Sequence, residues 1–364
     1  IQFFDSQRNV EVLPGFDVSP YSGLEPKTTL MVERLRFLRR AHLAQPSHIF
    51  VAPMQSLLQN TLPVQVLKKH CHRFKKGDDL PSDLNQFLTE LGYIASPYVE
   101  DVGQYSMRGG ILDLFSPAQE FPVRIELFGD TVESLRKFSP VDQRSSDEIS
   151  HFEVIPCHEV IWSDERLEQT LADFRSSLEG RNLEKSELDE TLRQLARQQN
   201  FSGIDFLLPF FYQKLESPLS HFAGDLNIWF LDPLEIEREA DQFYSEMKSD
   251  YQTSTRQVIR PPLEKLFTSL EQLKYPKDSR QIQLSNIDTE DVGHHANFYK
   301  LPYLTHNVLD LSNLLLSHPP GSQSWLDSMR AKFSAWKDDH YRVVIGVKNK
   351  SQAERLKLFF EKIE

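Results

Sequence analysis

The sequence is short of cysteine, of long apolar runs and of positive charge, and each shortage removes a class of protein. Two cysteines, Cys71 and Cys157, in 364 residues cannot frame a disulfide-stapled fold and suit a reducing cytoplasm. No apolar stretch reaches the roughly 18 residues that a membrane span needs. Lysine and arginine number 41 against 53 aspartate and glutamate, a formal net charge of −12. A surface of that sign repels a phosphate backbone. Sequence-independent nucleic-acid binding is therefore not expected as the main task, although a local basic patch is still allowed. No GxxxxGK[ST] phosphate loop occurs. The chain opens on Ile1 with neither a methionine nor a signal peptide, and it closes on a helix without a glycine cap. Both ends are expected to be cuts in a longer protein.

What is present is ordinary for a globular chain: 39% hydrophobic and 26% charged residues, over a length that suggests roughly two to three domains. The strongest local signal lies between Val99 and Phe138. Val123, Ile125 and Leu127 alternate with Arg124, Glu126 and Phe128, the period of a half-buried strand. Gly129-Asp130 then reads as a two-residue hairpin turn, which predicts Phe128 opposite Thr131, Glu126 opposite Glu133 and Arg124 opposite Leu135. One face of that hairpin is core: Val123, Ile125, Leu127 and Val132. The other carries Arg124 and Phe128 side by side on a wet surface. Arg108 precedes Gly109-Gly110, a pair that invites a turn or bulge and displays its neighbour. Arginine and large aromatics carry much of the energy of protein–protein contacts, so Arg108, Arg124 and Phe128 are candidate docking residues. The alternative is local packing, a guanidinium lying on a ring.

Other candidates are weaker. Leu30 to His42 reads as a helix whose Arg34, Arg36, Arg39 and Arg40 form either a phosphate-contacting row or a solvated face. His70-Cys71-His72 with Cys157-His158 suggests zinc, but adjacent ligands on a strand point to opposite faces and no second spaced pair exists. His294-His295 reads as a solvated loop pair. Leu226 to Leu231 has the composition of a central strand, residues 270–320 read as linker, and Tyr341 to Val347 reads as a strand. Trp325, Met329 and Phe333 share one face of a helix, and Ser351 to Glu354 looks like a capping box opening the last one.

Glu100 to Phe115 (EDVGQYSMRGGILDLF), Arg124 to Asp130 (RIELFGD) and Ser134-Leu135-Arg136 resemble domain 2 of the bacterial transcription-repair coupling factor family, a module that also occurs in the excision-repair protein UvrB. Ile155 to Glu159 is similar to the segment where that family's chain leaves domain 2, and the strand and helix after residue 340 resemble the opening of its domain 3. The resemblance implies an α/β fold. A degenerate helicase-like α/β domain would occupy residues 1–80 and 160–300, without its first strand and phosphate loop. An inserted α+β, hairpin-rich module would occupy 81–159, and a linker with the start of a further small α/β domain would occupy 301–364. It also implies the damage-recognition ATPase UvrA as partner, met by Arg108, Arg124 and Phe128. RNA polymerase and double-stranded DNA would be partners only through parts of a longer parent, which resembles an ATP-dependent DNA translocase. No cofactor is implied for this chain, ATP and Mg belonging to the parent's motor, and the location implied is cytoplasmic.

In nucleotide-hydrolysing relatives the strand matching Leu226 to Leu231 ends in Asp-Glu, the aspartate organising Mg²⁺ and the glutamate orienting water. Here Asp232 is followed by Pro233, which has no carboxylate. The expectation is a body that scaffolds without hydrolysing nucleotide, with Asp232 serving as a helix N-cap. Two rivals stay open on sequence: an ATP-dependent repair helicase of the UvrB type, and a direct DNA-binding domain using the α-helical arginines.

Overall fold

A βαβ unit begins the fold. Asn9–Val12 (β1) leads into Thr28–His42 (α1), and the chain returns as His48–Val51 (β2), parallel to β1 with Val10 opposite Ile49. In this computed structural model, residues 8–22, 24, 26–43, 47–162, 164–177, 185–197, 201, 203–253, 260–284, 313, 316, 318–319, 322–340 and 350–360 are described. Helix α1 buries Met31, Val32, Leu35, Phe37, Leu38 and Ala41, a stripe at three- and four-residue spacing. Met54–Leu58 (α2) and Val64–Lys69 (α3) follow, each entered through a proline that fixes the chain direction before the first turn.

His72–Lys75 (β3) opens an inserted module. Leu84–Glu90 (α4) is capped by Asp83, whose side chain accepts the Gln86 N–H at 2.9 Å. Six strands then form one sheet in sequential order: Ile94–Ala95 (β4), Gln104–Arg108 (β5), Ile111–Leu114 (β6), Val123–Phe128 (β7), Thr131–Phe138 (β8) and Ser145–Glu148 (β9). His151–Val154 (β10) returns antiparallel to β3 and closes the insertion. Leu88, Tyr93, Leu112, Ile125, Val132, Leu135 and Phe152 fill the core beneath the sheet.

The chain then rejoins the first body. Asp164–Ser177 (α5), Lys185–Ala196 (α6) and Leu208–Phe211 (α7) send Phe174, Leu195, Phe210 and Phe211 into the same core as Leu13, Leu35, Leu38 and Leu62 of the opening segment. Residues from both sides of the module thus share one apolar interior, as an insertion requires. Asn227–Leu231 (β11), Pro233–Thr253 (α8), Leu263–Leu266 (α9) and Arg280–Leu284 (β12) complete this unit, which spans residues 1–288. A second unit, residues 289–364, contains helices Gln323–Asp338 and Lys350–Phe360.

The α/β class with a hairpin-rich module is as the sequence implies, but three local expectations fail. Strand β11 pairs in parallel with β12 alone among the described residues, and Trp229 and Leu231 are exposed, so its composition does not make it central. Strand β12 lies inside the stretch expected to be linker. The last helix already includes Lys350, so Ser351 stands inside it rather than capping it. The expected strand at Tyr341 to Val347 and the His294-His295 pair lie outside the described residues.

Candidate protein-docking surface

Two hairpins place the candidate residues. Arg108 and Ile111 face each other across the Gly109-Gly110 turn of β5–β6, and Phe128 faces Thr131 across Gly129-Asp130 of β7–β8. Both tips lie at the same end of the sheet, because Leu127 donates its N–H to the Gly110 carbonyl at 2.7 Å. Gly110 is needed there: a Cβ would lie 2.9 Å from the Leu127 carbonyl oxygen. Gly129 takes the positive φ, +63°, that the tight turn demands.

The β7–β8 register differs from expectation beyond the first pair. Leu127 faces Val132, but Glu126 faces Ser134 and Arg124 faces Arg136. Glu133 is the extra residue of a bulge, so the pairings predicted for Glu126 and Arg124 slip by one on β8 while β7 keeps its alternation.

Arg124 and Phe128 therefore do share a face, with different fates. Phe128 is 81% exposed. The Arg124 side chain is only 21% exposed, and its guanidinium is gripped by Asp113 on β6, with Nε donating to Oδ1 at 2.7 Å and Nη2 to Oδ2 at 2.8 Å. Its Nη1 reaches the Gln143 carbonyl at 3.2 Å and Ser145 Oγ at 3.3 Å, and the group lies over Phe138. Hydrogen bonding to Asp113 holds Arg124 still more firmly charged than usual. Arg108 touches the same buried carboxylate more loosely, Nη2 to Oδ2 at 3.4 Å, rests over the Tyr98 ring at 5.6 Å and keeps 53% of its side chain exposed. One carboxylate thus orients two arginines on the face that also carries Glu126 and the exposed Phe128.

Asp113 was missed by the sequence reading. Its signal is there: a carboxylate inside the apolar run Ile111-Leu112-Asp113-Leu114 has to be paired if it is buried.

The α1 arginines form neither a phosphate-contacting row nor a solvated face. Arg34 is fully buried, its Nε on Glu159 at 2.9 Å and its Nη1 on the Pro14 carbonyl at 3.2 Å. Arg36 donates to the Pro117 carbonyl at 2.8 Å, Arg39 to Glu153 at 2.7 Å, and Arg40 to Glu11. Three of these partners belong to the module, so the row is the seam that fixes module to body. Glu159 also accepts from the Thr61 hydroxyl and the Leu62 N–H.

The remaining candidates do not converge. Among the described residues, no three His, Cys, Asp or Glu side chains are placed to hold one metal ion. His70 Nδ1 is bonded to the Val66 carbonyl, the His72 ring packs on Phe74 and Phe87, and burial pushes the Cys71 thiol up to about 12. Buried Cys157 is likewise held protonated, and His158 faces Asp205 at 3.5 Å. Asp232 precedes α8 with φ +62°, and its carbonyl accepts the N–H of Glu235 and Ile236. Pro233 is the first residue of α8, where a missing N–H costs nothing. The pair fits a helix start and lacks the second carboxylate of a hydrolytic nucleotide site.

Residues 73–159 match the UvrB interaction domain family. The chain is similar to transcription-repair-coupling factors from Myxococcus xanthus (32% identity over 95% of this chain and 29% of the relative), Haemophilus influenzae (28%, 74% and 23%) and Escherichia coli (26%, 83% and 26%). It spans less than a third of the length of these curated relatives. No described helix is long and apolar enough to cross a membrane.

Proposed function

From a chain that is a relative of the transcription-repair-coupling factors and carries a UvrB interaction domain, we propose that the hairpin end of the six-stranded sheet is a docking surface for UvrA. The observation that carries this reading is Phe128, a phenylalanine held four-fifths in water at a hairpin tip beside two oriented arginines. A lone exposed ring is unremarkable, but one flanked by guanidiniums has the composition of an interface hot spot. Phe128 enters an apolar pocket of the partner, and Arg108 meets a carboxylate or carbonyl there. Arg124, already committed to Asp113, holds the surface in shape and adds charge.

The body presents the module rigidly through the α1 seam and turns over no nucleotide, Pro233 standing where a water-orienting carboxylate is required. In a full-length parent this surface recruits excision repair to an RNA polymerase stalled on damaged DNA, and ATP-driven displacement of the polymerase belongs to parts outside this chain.

The test is binding of purified UvrA to the chain and to Phe128→Ala. A folded Phe128→Ala that binds about 30-fold more weakly, or worse, is expected of a hot spot; undiminished binding ends the proposal. ATP turnover by the chain itself would instead favour a UvrB-type helicase.

A further inference from the structure

We propose that the docking surface continues from Phe128 across Ile111 and Arg108 into a groove beside Tyr98, and that the groove takes an apolar side chain of the same partner next to a partner carboxylate on Arg108. This rests on the UvrA reading above and extends it to residues outside the Arg-Arg-Phe set.

Register brings these residues together. Ile111 faces Arg108 on one side and Glu126 on the other, and Phe128 lies two positions along β7 on the same face. Besides Glu126, that face otherwise carries Ser106, Asp113, Arg124, Ser134 and Arg136, yet Ile111 is exposed on it. Beyond Arg108 the surface falls into a groove lined by Asn85, Ala95, Ser96, Tyr98, Met107 and Arg108. Tyr98 is 58% exposed, and Met107 is exposed as well. At the opposite edge of the sheet, β9 shows water only Ser145, Ser146, Asp147 and Glu148. Ile94, Tyr98, Met107 and Ile111 are exposed together on the Arg108 side with Phe128 at the neighbouring tip, while Phe121 and Val141 are exposed singly at the other end of the sheet; the adjoining group has the make-up of a contact surface.

Charge defines the occupant. Among the described residues lining the groove, Arg108 is the one that carries a charge. Asp113 is already held bidentately by Arg124, and its contact with Arg108 is long at 3.4 Å. A partner carboxylate can therefore take over the Arg108 guanidinium without unpairing Asp113, while Tyr98 supports the guanidinium from beneath. The fitting segment pairs an acidic residue with an apolar neighbour.

The experiment measures UvrA binding to Tyr98→Ser, Ile111→Ser and Phe128→Ala, with thermal unfolding as the check on folding. Each of the first two is expected to weaken binding at least about 5-fold with the unfolding midpoint nearly unmoved. If Phe128→Ala alone weakens binding, the extension is wrong and the docking reading stands; if all three bind like the parent chain, both fall. Met107→Glu and Met107→Lys, at an exposed position, keep the test alive should a serine variant misfold. The glutamate is expected to bind about 10-fold more weakly than the lysine, because it repels the partner's carboxylate. Equal affinities of this pair would overturn the acidic occupant.

Discussion

Four arginines on α1 and the two on the sheet that share Asp113 differ in what is left over once their internal partners are assigned. On α1, Arg34, Arg36, Arg39 and Arg40 all end on carboxylates or carbonyls of the chain itself. On the sheet, one carboxylate serves two arginines, and Arg108 remains half exposed. The first arrangement uses charge to join two parts of the fold; the second leaves charge beside an exposed ring. Arginine content is therefore no guide to a surface, whereas the ratio of arginines to available carboxylates is. The chain's −12 charge fits this: acid is plentiful, and only geometry keeps Arg108 from being consumed.

The sharpest break of that comparison is Arg34→Ala. It leaves Glu159 buried without its counter-charge, and losses of this kind cost about 3–5 kcal/mol. Urea unfolding should report the loss directly, while UvrA binding per folded molecule stays unchanged. A loss under about 1 kcal/mol would mean the seam is no more than a surface ion pair.

How much of this was legible follows from distance along the chain. The strands of the hairpin, its Gly129-Asp130 turn and the core face at Val123, Ile125 and Val132 were readable because alternation is local. The bulge at Glu133 was not, since a neighbouring strand intervenes: Gly110 takes the Leu127 N–H. The apolar stripe of α1 was readable, but the partners of its arginines were not. Pro117 is 81 residues from Arg36, and Glu159 is 125 from Arg34. Among the candidate docking residues, sequence marked Arg108, Arg124 and Phe128 but gave no sign that Asp113 would hold one arginine tightly and the other loosely. The apolar composition of β11 does not bury both its faces, because Trp229 and Leu231 stand exposed and composition alone cannot supply a covering layer.

A second, smaller effect separates the regions by pH. His221 belongs to the body, with Nε2–H on the Leu62 carbonyl at 3.1 Å and a buried Nδ1 without a partner. Burial lowers its imidazole to about 4. The unfolded chain takes up a proton near pH 6.5 that the folded chain refuses. Stability from this group is therefore full above that pH, falls as the pH drops towards 4, and loses nothing further below. The total is about 3 kcal/mol. The check is the difference in urea midpoint between the parent chain and His221→Gln from pH 7 to pH 4. It should shrink on acidification, and a constant difference would contradict the neutral buried form.

The smallest expected change is the most discriminating. Arg108→Ala removes a side chain that is half in water, with one long bond to Asp113 and a ring beneath it. Asp113 keeps its bidentate partner, so no buried charge is orphaned, and exposed ion pairs of this kind are worth about 0.2–1 kcal/mol at most. Thermal unfolding of the variant should therefore nearly overlay that of the parent chain. UvrA affinity should fall nonetheless, and the fall should diminish as salt rises, because a charge meeting a carboxylate is screened. Arg34→Ala reverses both signs, with large loss of stability and none of affinity. If Arg108→Ala instead unfolds the module, its guanidinium is part of the frame, and the sheet arginines serve the same joining role as those of α1.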